Sequence, residues 1–240
     1  MTMTSKPSLK IAVINFSGNV GKSTIAQYLL WPRLNDAELI AIESINSDGG
    51  LETQTLKGKQ FGLLQEGLML MESAVVDIGA SNVEDFMQLM GQYRGSHQDF
   101  DLFIVPVVPA AKQQRDTIGT IEALASLGIP ANKIRVVMNM VEQGDEPTSL
   151  FSGLIDYQET ERKFLFPSAA VLHKNEVYGK LREAGLSIGQ VLADTTDYLA
   201  AAKAAVSDEE RLEAVKRHSL YRLVTGVEDE LDAVFDAVTR

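Results

Sequence analysis

Short apolar runs recur along the chain, separated by longer stretches in which apolar residues return every three or four positions. Such short runs predict buried β-strands, and the longer period predicts helices. The predicted strands cover residues 11–14, 37–43, 74–79, 102–109, 134–139 and 164–167, and Pro106 suggests that the fourth strand ends near it. The predicted helices cover residues 25–30, 61–71, 83–93 and 175–184, with another from Ala111 to a stop at Gly128.

The C-terminal part of the chain has a helical pattern. Ser207 and Glu210 have the spacing of a capping box before a helix. An apolar stripe beyond Gly226 comprises Val227, Leu231, Val234, Phe235 and Val238. We predict that this stripe packs on the main domain, with a helix-pair dimer contact as the alternative.

Strands that alternate with helices predict an α/β fold with a doubly wound, mostly parallel sheet and helices on both faces. We predict a nucleotide-binding domain over residues 1–192 and a C-terminal helical extension over residues 193–240, packed on that domain. Ligands of such sheets bind at the carboxyl ends of the strands.

Composition narrows the class of protein. The chain has 240 residues, 45% of them hydrophobic, no cysteine and a net charge of −11. We therefore expect no disulfide framework, a cytoplasmic location and little non-specific binding to DNA. The first ten residues have no apolar core, and no run of about 18 apolar residues occurs, so we expect neither a signal peptide nor a membrane span.

A loop rich in small residues follows the first predicted strand and leads into a helix. It contains Ser17, Gly18, Asn19, Val20, Gly21, Lys22, Ser23 and Thr24. Strand, glycine-containing loop ending in Gly-Lys-Ser, and helix are the context of a phosphate-binding P-loop (Walker A), although Phe16 occupies the position of the first glycine. We expect the loop to bind the phosphates of ATP, with Lys22 on the β- and γ-phosphates and Ser23 on Mg²⁺.

Three further residues end predicted strands. Asp77 is placed as the acid that holds the Mg²⁺ shell in P-loop NTPases. Glu43 is a candidate to contact the metal or a water. Asn139 is a candidate for a base edge, and the residues after it lack the Asn-Lys-x-Asp pattern of GTPases, which favours adenine over guanine. Lys22, Glu43 and Asp77 are thus the predicted catalytic residues.

The loop, the run 75–79 around Asp77 and the strands near 101–109 and 136–139 resemble the deviant Walker A ATPases of the ParA/MinD superfamily. The segments 14–22 and 43–46 are more narrowly similar to StbB-type plasmid stability proteins of conjugative plasmids. This resemblance implies a cytoplasmic nucleotide switch for plasmid stability, partition or positioning. It also implies a DNA-binding partner protein and a homodimer.

Two residues depart from that superfamily. Its signature lysine, which crosses a dimer interface, falls on Ser17, and the second acid of its Asp-x-Asp motif falls on Ile45. We therefore expect Mg·ATP binding with slow hydrolysis and weak ATP-driven dimerisation. A small-molecule P-loop kinase and a non-hydrolysing nucleotide-binding adaptor remain the alternative functions.

Overall fold

A computed structural model describes residues 6–42 and 58–240 of the chain. Within these residues six parallel strands form one sheet in the order β2-β3-β1-β4-β5-β6. The strands are β1 (Lys10–Val13), β2 (Glu38–Ile42), β3 (Ala74–Ile78), β4 (Leu102–Val107), β5 (Ile134–Val141) and β6 (Val171–His173). The predicted parallel α/β architecture is confirmed.

The described helices alternate with the strands over most of the chain. They are α1 (Lys22–Thr24), α2 (Gly58–Leu70), α3 (Val83–Gln92), α4 (Ala111–Ser126), α5 (Pro147–Leu150), α6 (Ser152–Glu161), α7 (Val177–Ala184), α8 (Ile188–Ala193), α9 (Tyr198–Ala204) and α10 (Asp208–Thr239). The segment Ile25–Leu30, predicted as a helix, continues α1 as a π-helix. Such i→i+5 geometry is rare and often accompanies functional sites.

The central strands are buried on both faces, which explains why they read as continuous apolar runs. On one face, alternate strand residues such as Val76, Phe103 and Val136 join a core with side chains from α2, α3, α4 and α6. Aromatic rings pack against one another in this core. The centroid of the Phe86 ring lies 5.4 Å from that of Phe61 and 6.3 Å from that of Phe100.

The fourth strand ends near Pro106, as predicted, because the last residue of β4 is Val107. The last residue of β1, Val13, pairs with Ile104. No residue of β1 therefore lies opposite Pro106. The Pro106 carbonyl accepts a hydrogen bond from the Asn15 side chain at 2.8 Å instead of from a strand. A missing N–H group is tolerated there since no strand residue needs it.

The prediction of a strand at residues 164–167 is wrong. Leu165 forms only an isolated bridge to Arg135, and the sixth strand lies at Val171–His173. Pro167 begins a turn closed by the Ala170 amide on the Pro167 carbonyl at 2.9 Å, so continuous pairing with β5 resumes only after it.

The chain divides into two compact units, residues 1–174 with 234–240, and residues 175–233. The predicted domain boundary after residue 192 differs from this division, and the predicted domain organisation stays a prediction. The capping box is confirmed, because the Glu210 amide donates to Ser207 Oγ at 3.1 Å and the Ser207 amide donates to the Glu210 carboxylate at 3.2 Å. The stripe residues of α10 from Val227 to Val238 are all buried.

None of the helices that the structure describes is long and apolar enough to cross a membrane.

Candidate phosphate-binding site

The loop between β1 and α1 lies at the carboxyl edge of the sheet. Val13 ends β1 and pairs with Asp77 near the end of β3, so the loop starts beside that carboxylate. Asn139 lies towards the end of β5 and reaches the same loop from the other side. The predicted loop, Asp77 and Asn139 come from separate parts of the chain and are thus brought to one edge, as parallel strand topology requires.

Gly21 gives the loop its final turn. Its φ is +86°, and a Cβ placed there would lie 2.2 Å from the Asn139 side-chain nitrogen. Gly18, by contrast, has no positive φ, and the nearest atom to a Cβ there would be 4.0 Å away. The second left-handed residue of the loop is Asn19, with a φ of +58°. Glycine is therefore required by geometry at residue 21 and not at residue 18.

Gly21 also precedes the first turn of α1. Within the described residues no side chain caps this helix, so its first amide groups keep their capacity to bind an anion. Gly18, Asn19 and Ser23 are exposed, whereas Val20 is fully buried and Thr24 is half-buried. An exposed backbone arch anchored by one buried apolar side chain fits a phosphate group.

Lys22 is almost completely buried and folds back onto its own loop. Its ammonium donates to the Ser17 carbonyl at 2.8 Å and to the Asn15 carbonyl at 3.1 Å. Burial lowers the pKa of the Lys22 ammonium, and the attraction of the Asp77 carboxylate opposes that shift. A buried cation held by neutral carbonyls is poised to exchange them for an anion, since charged partners form stronger hydrogen bonds.

Asp77 is 5% exposed and lies close enough to Lys22 to influence its protonation. Ser23 is exposed on the first turn of α1. The described residues contain no cluster of three or more histidines and carboxylates that could hold a metal by itself. Mg²⁺ keeps several waters and needs one or two protein ligands beside phosphate oxygens, so a Ser23 and Asp77 pair matches its chemistry.

Asn139 contacts the loop backbone. Its side-chain nitrogen donates to the Val20 carbonyl at 2.9 Å. The next residue, Met140, has a left-handed φ of +57°, and its terminal methyl lies 3.6 Å from where a Gly21 Cβ would be. Asn139 therefore braces the loop in this state, and its predicted contact with a nucleotide base stays a prediction.

Asn15 fastens the start of the loop to α4. It is fully buried, and its side-chain nitrogen donates to Thr117 Oγ1 at 2.7 Å. Its side-chain oxygen accepts a hydrogen bond from the Ser17 backbone amide at 2.8 Å. The Phe16 amide donates to Thr120 Oγ1 at 3.0 Å. Because each bond is buried or partly buried, the loop and α4 are held in a defined relation.

Ser17 is linked to α4 through its hydroxyl as well. Its Oγ donates to Asp116 Oδ2 at 2.9 Å, and the Lys112 ammonium donates to the same oxygen at 2.8 Å. Hydrogen bonds from Lys112 and then from Ser17 lower the pKa of Asp116. A carboxylate and a cation thus stand beside the loop at residue 17.

Sequence reasoning missed Asp116, Thr117 and Thr120. The sequence predicted a helix from Ala111 but assigned no contact to its polar residues, whereas the buried side chains of α4 are Thr117, Thr120, Ile121 and Leu124. Two threonines at helical spacing in line with Ile121 and Leu124 are the signal that could have found this contact. The predicted catalytic residue Glu43 and the departure at Ile45 lie outside the described residues.

Comparison with known proteins gives matches among solved structures. No family model matches the chain, and no curated protein matches its sequence. Apo McdA from Cyanothece is 12% identical with a TM-score of 0.56, covering 96% of this chain and 98% of that one. The MinC:MinD cell division complex from Aquifex aeolicus is 14% identical with a TM-score of 0.53, covering 91% and 96%. MinD from the same organism is 14% identical with a TM-score of 0.51, covering 91% and 97%.

These similarities show the fold. The six-stranded parallel sheet with helices around it is the P-loop NTPase fold of the ParA/MinD type, as the sequence predicted. At such low identity the roles of single residues rest on this chain's own geometry.

Proposed function

We propose that this chain is a Mg·ATP-binding nucleotide switch that hydrolyses ATP slowly and acts with a DNA-binding partner protein in plasmid stability or partition. The observation that carries the proposal is the arch of residues 17–21 closed around the buried Lys22 ammonium, with Asp77 beside it. A buried lysine whose direct hydrogen bonds go to loop carbonyls is costly unless an anion uses it.

The chain's residues divide the work of binding. The exposed backbone at Gly18 and Asn19 and the amides at the start of α1 would receive phosphate oxygens. Lys22 would leave the Ser17 and Asn15 carbonyls for the phosphates. Ser23 and Asp77 would hold Mg²⁺, which neutralises phosphate charge when bound.

The switch follows from the way the loop is fastened. A phosphate that draws Lys22 away frees two loop carbonyls next to residues bonded to α4. A change at the loop therefore reaches the surface of α4, where a partner protein could detect it. MinD has been solved in complex with MinC, and a fold of this type can therefore bind a partner protein.

The test compares wild type, Lys22→Ala and Asp77→Asn. Titration with a fluorescent ATP analogue, with and without Mg²⁺, should show binding by wild type, a loss of at least about tenfold in Lys22→Ala, and loss of the Mg²⁺ enhancement in Asp77→Asn. Circular dichroism controls for folding. An unchanged dissociation constant in a folded Lys22→Ala protein contradicts the phosphate-loop assignment.

Phosphate release separates the alternative functions. A slow release that a DNA-bound partner accelerates supports the switch. Release that requires a small acceptor molecule indicates a kinase, and binding without any release indicates an adaptor.

A further inference from the structure

Residue 17 stands between two lysines. Its backbone carbonyl accepts from Lys22 Nζ at 2.8 Å, and its hydroxyl donates to Asp116 Oδ2 at 2.9 Å. That carboxylate oxygen also accepts from Lys112 Nζ at 2.8 Å. Lys112 is therefore on the same end of the loop as the ammonium group of Lys22.

The two lysines differ in their exposure to solvent. Lys22 is 7% exposed, whereas the Lys112 side chain is 72% exposed. Asp116 is partly exposed, and its bond to Lys112 is an i,i+4 ion pair on a helix surface. Pairs of this kind contribute little stability, so a more highly charged anion can displace the carboxylate.

The backbone of Lys112 is nevertheless held in place relative to the loop. Thr117 and Thr120 of the same helix hold Asn15 and Phe16 through hydrogen bonds of 2.7 Å and 3.0 Å. The exposed Lys112 side chain therefore extends from a backbone that is already positioned next to the loop.

We propose that Lys112 is a second phosphate-binding cation of this site, held by Asp116 in the state described here and transferred to the terminal phosphate when a nucleoside triphosphate binds. The proposal rests on the function proposed above. The terminal phosphate is the target because Ser17, which shares the Asp116 carboxylate with Lys112, also contacts the lysine proposed above to bind the β- and γ-phosphates. Asp116 keeps the Ser17 hydroxyl after the transfer.

A cation that meets only the terminal phosphate should make the site prefer ATP over ADP. Dissociation constants for ATP and ADP are measured for wild type, Lys112→Ala, Lys112→Arg and Lys22→Ala by isothermal titration. Lys112→Ala should weaken ATP binding about tenfold and change ADP binding by less than about threefold, and Lys112→Arg should restore most of the ATP affinity. Lys180→Ala is the matched control, because Lys180 is also a surface lysine in an i,i+4 pair, with Glu176.

A transplanted lysine provides an independent check. Because the Ser17 side chain already points at Asp116, a lysine at residue 17 would reach the same carboxylate. Ser17→Lys in the Lys112→Ala background should therefore recover the ATP preference, which a merely structural role of Lys112 would not allow.

The outcomes distinguish this inference from the proposed function. A wild-type protein that binds no ATP overturns both. If wild type binds ATP through Lys22 and Lys112→Ala keeps the wild-type ratio of ATP to ADP affinity, only the role of Lys112 is overturned.

Discussion

Gly21 couples the loop to the end of β5. Its left-handed backbone turns the chain from the loop into α1, and the absent side chain leaves room for the Asn139 amide, which holds the Val20 carbonyl. Any Cβ at residue 21 would clash with the Asn139 side chain, and it would also strain the left-handed backbone. The hydrogen bond between Asn139 of β5 and the loop therefore depends on the absence of a side chain at residue 21.

We expect Gly21→Ala to destabilise the protein by about 1–2 kcal/mol from the left-handed conformation alone, with a further loss from displacing Asn139. Urea unfolding of the mutant gives this value, and ATP titration of the same sample should show weakened binding.

Gly18→Ala is the matched control for that substitution, because its new methyl group would find no atom closer than 4.0 Å. Its unfolding free energy should stay within about 0.5 kcal/mol of wild type. Equal effects of the two substitutions would contradict the loop geometry described here.

At the scale of elements, α10 is the longest helix that the structure describes, with 32 residues. Its start is set locally by the Ser207 and Glu210 capping box. Towards its end, the buried Arg135 of β5 donates to the Val238 carbonyl at 3.3 Å and to the Asn132 carbonyl at 2.5 Å. Burial lowers the pKa of Arg135. The Val238 carbonyl that accepts its hydrogen bond is one of the last carbonyls of α10, which the helix itself leaves unbonded.

Gly226 lies near the middle of α10. It is exposed, and a Cβ there would find no neighbour within 4 Å. We expect Gly226→Ala to stabilise the protein by about 0.5–1 kcal/mol, since alanine has the higher helix propensity and restricts the unfolded chain. Thermal unfolding followed by circular dichroism measures the change.

Gly62 in α2 is the comparison for Gly226. A Cβ there would lie 3.0 Å from the Tyr93 hydroxyl, so the propensity gain of Gly62→Ala should be offset by that contact. A Gly226→Ala protein that is no more stable than wild type would show that the helix is not regular at this residue.

At the scale of the whole molecule, charge governs what the protein can approach. It carries 33 acidic and 22 basic side chains, for a net charge of −11. Little counterion release is then available from a DNA duplex.

We expect the isolated protein to bind random duplex DNA weakly at physiological salt, in a mobility-shift assay with and without ATP. The DNA-binding partner in the proposed function would supply the affinity for DNA. Tight binding with a steep salt dependence would reveal a basic surface on this chain and remove the need for that partner.

Local pattern determined the strands of the central sheet and the candidate phosphate-binding loop. Buried parallel strands must be apolar throughout, so β1, β3, β4 and β5 are visible as runs, and a strand followed by Gly-Lys-Ser and a helix has few other uses. The same reasoning placed Asp77 and Asn139 at the ends of β3 and β5, at the edge where the loop lies.

Only the tertiary structure decided which partners those residues take. Asp116 is about 100 positions from Ser17, and no sequence period connects them, yet α4 brings them within 2.9 Å. The sixth strand was misplaced for a related reason, since pairing at a sheet edge depends on where the turn at Pro167 returns the chain to β5. Sequence pattern reports what each segment must bury, whereas the contact between the loop and α4 exists only once the sheet has set their positions.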